Sequence, residues 1–129
     1  MKTLYSLLDK AITAIEAYTD CYCCSVLNSN GQEFLFFRSH KILPCSEHFS
    51  RAKARTAHAF QCDTRKLLDL PQITAAIRSP DYCFLAGGIV HASLTDGTLF
   101  VGVSCDNPEI DHQAALAAAQ ALSKEEITS

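Results

Sequence analysis

His40, Cys45 and His48 are the residues of this chain whose types and spacing best suit chemistry. Imidazole and thiolate are common protein ligands of haem iron, and both also bind zinc. Cys45 and His48 stand three residues apart, so within one helical turn they can face a common ligand. Pro44 closes the preceding loop, which sets Cys45 at or just before a helix start. There the dipole and free N–H groups favour thiolate. The plainer reading is a loop with two solvent-facing histidines and a small buried cysteine. A closed zinc site would need a second ligand pair, which the sequence does not offer.

The following stretch, FSRAKARTAHAF (49–60), sets Phe49, Ala52, Thr56 and Phe60 on one side of a helix. At about 100° per residue Lys53 falls between Phe60 and Ala57, inside that apolar arc. Lysine is seldom buried without a partner. Either its stem lies on the core while the ammonium reaches water, or it crosses to a carboxylate such as Asp106 or Asp111. Arg51, Arg55 and His58 gather on the opposite side. Guanidinium forks pair well with carboxylates such as haem propionates, or with phosphates; a solvated helix face is the plainer reading.

Other chemically suggestive residues carry less. On a strand, Cys21 and Cys23 of CYCC face one side and Cys24 the other, so three thiols cannot converge on a metal. His91 lies in a strand and His112 in the first turn of a helix, where each reads as a satisfied or surface histidine. Gly87-Gly88 lacks the lysine and the strand–loop–helix setting of a phosphate loop. It suits a tight bend or a close backbone approach. Ser104 stands in Gly102-Val103-Ser104-Cys105-Asp106, which is no nucleophile elbow.

The elements that must position these residues follow from periodicity. Leu4, Leu7, Leu8, Ala11, Ile12, Ile15 and Tyr18 predict an amphipathic first helix. CYCCSVLN (21–28) and EFLFFR (33–38) read as a hairpin around Asn-Ser-Asn-Gly. The helix of 49–60 follows, then a helical stretch divided into two short pieces by Pro71. A strand is expected around Tyr82–Leu85. GGIVHASL (87–94) and LFVGVSC (99–105) form a second hairpin around Asp96-Gly97. Asn107 suits an N-cap and Pro108 the first position of a last helix, with Ile110, Ala114, Ala117 and Ala121 along one side.

A chain of 129 residues makes a single domain, 1–129. The net charge of −3 and pI near 5.9 argue against a nucleic-acid partner. No apolar run approaches the ~20 residues of a membrane span. Asp9, Lys10 and Glu16 interrupt the N-terminal apolar run, so no export signal is expected, and the cytoplasm is the expected location. The seven cysteines are accordingly expected to be reduced.

Two motifs together resemble the GlcG/HbpS-like family of haem-binding domains, which also includes the C-terminal domain of PduO-type cobalamin adenosyltransferases. SRAKARTAHAF is similar to the family's small-x-x-Lys-Ala-x-Thr-Ala-x-x-Phe helix. GGIVHASLTDGTLFVGVSCDNPEIDHQAA is similar to its Gly-Gly, strand, turn, Gly-Val-Ser, Asp and Ala-rich helix signature. The resemblance covers nearly the whole chain. It implies an α+β, profilin-like fold, a five-stranded antiparallel sheet flanked by helices. It further implies a homo-oligomer with haem or cobalamin as the possible cofactor. The chain departs from the family pattern at Val26-Leu27-Asn28, at SHKILPCS (39–46), at Val90 and at Cys105.

The expected ligand-binding set is therefore His40, Cys45, His48, Arg51, Lys53 and Arg55, with His48 and Cys45 as ligands of haem iron or a metal. No catalytic residue is assigned. Binding of haem or a related tetrapyrrole leads; the alternatives are a haem-degrading enzyme and an accessory protein that assembles with itself and takes no small molecule.

Overall fold

The computed structural model describes residues 3–67, 69, 80–93, 97–105 and 107–123. Its elements run α1 (Leu4–Glu16), β1 (Cys23–Leu27), β2 (Glu33–Arg38), α2 (Cys45–Phe60), α3 (Thr64–Leu67), β3 (Gly88–Ser93), β4 (Gly97–Ser104) and α4 (Pro108–Ser123). Asn28 Oδ1 accepts from the N–H groups of Asn30 and Gln32, fixing the turn that joins β1 to β2. Asn107 Oδ1 accepts from Glu109 N at 2.9 Å, the N-cap expected before Pro108.

The strands pair antiparallel in the order β2-β1-β4-β3. β1 therefore lies inside the sheet, and helices cover both of its faces. Every residue of β1 is buried, whereas the edge strand β2 alternates. That double covering explains why the strand is written Cys-Cys-Ser-Val-Leu. Its thiols act as small apolar side chains, Cys24 facing the larger core and Cys23 facing α2.

On one face α1 and α4 bury Ala11, Ile15, Ala114, Ala115, Ala118, Ala119 and Leu122 against Val26, Ile89, Val101 and Val103. A fully buried Ile15 contributes ~1.5–3 kcal/mol relative to an exposed one. The stripe of α4 differs from the expected one: Asp111, Ala114, Ala115, Ala118, Ala119 and Leu122 are buried, while Ala117 and Ala121 are only half-buried. On the other face α2 lies close over β4. A Cβ on Gly102 would stand 2.5 Å from Ala54 N, so the helix can approach only a glycine there.

The sheet among the described residues has four strands rather than the five expected. Residues 82–85 make no strand; side chains from other elements engage backbone groups in this segment and just before it. Thr56 Oγ1 accepts from Cys83 N, Thr64 Oγ1 donates to Leu85 O, and Arg55 donates to Asp81 O. Phe84 packs with Leu67 in a separate apolar cluster, and rings of Phe60, Tyr82 and Phe84 meet edge-on. The first of the two pieces expected across Pro71 is α3; Pro71 and the turn residue Asp96 lie outside the described residues.

Candidate functional site

The helix α2 carries two chemically different sides. Its first turn has no side-chain cap; Pro44 holds the N-cap position, and the N–H groups of Ser46 and Glu47 turn back to Leu43 O and Pro44 O. Cys45 is the first helical residue and is exposed, as are His40 and His48. The His48 ring stands 5.7 Å from that of Phe49, itself 40% exposed. Among the described residues no group of three His, Cys, Asp or Glu side chains is arranged to hold a metal ion.

From His48 the helix repeat carries one stripe through Arg51 and Arg55, spaced three and four residues. This stripe borders the edge strand β2. Arg51 donates to Glu33 through Nε (2.9 Å) and Nη2 (3.3 Å), and its guanidinium lies 3.7 Å over the Phe36 ring. The bond to Glu33 raises the Arg51 pKa, against the smaller opposing effect of burial. Arg38 and Glu47 make a second strap, at 2.7 Å. Such half-exposed pairs contribute ~0.2–1 kcal/mol each, so they align the helix on β2 more than they hold it. Between the straps and the β1–β2 turn lies a cavity of about 210 Å³ lined by Ser25, Leu27, Gly31, Glu33, Arg51 and Arg55.

Lys53 projects from the other side of α2. Its ammonium donates to Val103 O (3.1 Å) and Asp111 Oδ2 (2.8 Å), with both side chains 3% exposed. Cys105 N donates to the second carboxylate oxygen at 2.6 Å. Of the two carboxylates the sequence allowed, Asp111 is the partner; Asp106 lies outside the described residues. The pair joins α2 to α4 past the end of β4, tying the two layers that cover opposite faces of the sheet. Gly87, with φ +123°, leaves the room: a Cβ there would stand 2.5 Å from Val103 O and 2.9 Å from Asp111 Cβ. The Gly-Gly pair thus serves the close approach that its sequence suggested.

Beside this pair a second cavity, about 200 Å³, is lined by Phe49, Lys53, Leu85, Ser104, Cys105, Asn107, Pro108 and Asp111. Ser104 is 4% exposed. His58 packs its ring 4.9 Å from that of Phe100 and is not free on the basic stripe. His112, buried in the first turn of α4, leaves Nδ1 without a hydrogen-bond partner among the described residues. Burial first, and Arg65 second, lower its pKa.

Sequence reasoning missed Glu33, which engages Arg51 and also accepts from Ser25 Oγ at 2.8 Å. The hairpin register that brings Glu33 back over β1 is the only signal that could have placed it near α2.

A sheet held between a lone helix and a helix pair, with a buried lysine closing one end, defines a distinct class of small α+β domain. The chain belongs to the HbpS-like family, described as haem degrading protein HbpS-like, whose model matches residues 1–120. Its fold is close to that of Klebsiella pneumoniae ORFY (TM-score 0.78, 19% identity, covering 94% of this chain and 90% of that one). A double-mutant form of Streptomyces reticuli HbpS is similar at TM-score 0.76 and 27% identity, over 92% of this chain and 85% of that one. The PduOC protein, solved as a haem complex, shares the fold at TM-score 0.73 and 24% identity, over 92% and 90%. No curated protein matches the chain by sequence.

Proposed function

We propose that this protein binds haem, or a related tetrapyrrole, on the open side of α2. Membership of a family described as haem degrading protein HbpS-like is the observation that carries this reading. The donor set fits the group: exposed imidazole and thiol at His40, Cys45 and His48, with guanidinium groups of Arg51 and Arg55 further along. His48 or Cys45 would ligate the iron, and Arg55, which engages the Asp81 carbonyl rather than a carboxylate, would meet a propionate more readily than Arg51, which Glu33 already engages.

Neither of these two cavities, formed among the described residues, encloses a tetrapyrrole. Each is about 200 Å³, below the ~300–1,000 Å³ of pockets that enclose drug-sized ligands. A second protein surface closing over this face would cover a haem there, and a second copy of the chain is the simplest such surface.

Sedimentation of the protein with one equivalent of ferric haem tests this reading. Haem absorbance is expected to travel with a species larger than the monomer; haem that sediments apart from protein overturns the proposal. A parallel sample with cobalamin separates a corrinoid preference from haem. Loss of the haem spectrum on adding a reductant would favour the degrading enzyme that the family description names.

A further inference from the structure

The cavity between α2 and the start of α4 is lined by Lys53 but by none of the His40, Cys45, His48, Arg51 and Arg55 groups on which the haem reading rests, and among the described residues its spare polar groups can all donate. Both oxygens of Asp111 are occupied, one by Lys53 and one by Cys105 N. Donors remain. Lys53 has three N–H groups and two partners among the described residues. Asn107 uses its Oδ1 on the N–H groups of Glu109 and Ile110, leaving its NH2 without a partner among the described residues. Ser104 is buried, lines the cavity, and its hydroxyl makes no hydrogen bond among the described residues. The walls on the open side are apolar: Phe49 at 40% exposure, Leu85 at 53%, and Pro108.

We propose that this cavity binds a small uncharged carbonyl compound. Its oxygen accepts from the Ser104 hydroxyl, supported by the spare donors of Lys53 and Asn107. Its apolar body lies between Phe49, Leu85 and Pro108. The absence of net charge follows from the Lys53–Asp111 pair, which already balances itself; a carboxylate would add an uncompensated charge beside buried Asp111. The size also agrees. A cavity of about 200 Å³ is a little larger than an engineered apolar cavity of ~150 Å³ that takes benzene.

Benzamide and benzoate are matched probes, differing chiefly in charge, and both are titrated into isotope-labelled, haem-free protein by NMR. Benzamide is expected to shift the amide signals of Leu85, Ser104, Cys105 and Asn107, and benzoate to bind at least ~tenfold more weakly. Ser104→Ala removes one hydrogen bond and is expected to weaken benzamide about threefold to tenfold. Phe49→Ala, at an exposed side chain, weakens it independently of any effect of Ser104→Ala on folding. Benzoate binding as tightly as benzamide, shifts confined to other residues, or benzamide affinity unchanged in Phe49→Ala would each overturn the proposal. Because no haem is present, these outcomes are separate from the fate of the haem reading.

Discussion

Lys53 Nζ lies 2.8 Å from Asp111 Oδ2, and each side chain is only 3% exposed. The two residues come from helices on opposite faces of the sheet, 58 positions apart in the chain. Val103 O and Cys105 N complete the cluster, so each charge is hydrogen-bonded as well as paired. A pair buried this way resists loss of one member more than replacement of both.

Lys53→Met strands a buried carboxylate and is expected to destabilise the fold by about 3–5 kcal/mol, as is Asp111→Leu, which strands the buried ammonium. The double variant should cost clearly less than the two single costs added. Denaturant unfolding of the four proteins gives the coupling. Additive losses would show that the ammonium and carboxylate stabilise the fold independently.

Gly87→Ala places a Cβ against Val103 O and the Lys53–Asp111 pair, at a φ of +123° that only glycine adopts without strain. The backbone cost alone is ~1–3 kcal/mol. Thermal unfolding is expected to show at least that loss. A neutral effect would mean that residue 87 can rotate away without disturbing the pair.

Burial pushes the Cys23 thiol up from 9.0 to about 11, with Arg38 opposing, and burial likewise raises that of Cys24. Both thiols should stay unlabelled by iodoacetamide at neutral pH while exposed Cys45 reacts. The pH effect has a defined sign. An unfolded Cys23 loses its proton near 9 and the folded one near 11, so its contribution is whole below about pH 9 and is lost by about pH 11. Cys23→Ala should therefore flatten part of the alkaline fall in stability; an unchanged slope would assign that fall to other groups.

Much of this architecture was legible in the chain. The two hairpins rest on alternation and turn residues, which act locally, and Lys53 stood out because a charge inside an apolar arc demands a partner. The choice between Asp106 and Asp111 depended on how α4 docks, which no local pattern encodes. The expected strand at Tyr82–Leu85 has suitable residues, but Thr56, Thr64 and Arg55 engage backbone groups in and just before it from elements far away in sequence. The stripe of α4 was misread because alanines surround the helix and leave its period ambiguous. Likewise Arg51 looked available for a ligand until the β2 register brought Glu33 beneath it.

The proposed haem site begins at the exposed start of α2, where His48 or Cys45 would ligate the iron. Titration of ferric haem, followed by its Soret band, tests this most directly in the natural chain beside His40→Ala, Cys45→Ala and His48→Ala. A saturable Soret shift is expected in the natural chain, lost or displaced in at least one of the three variants. No shift in the natural chain, or the same shift in all three variants, would contradict it.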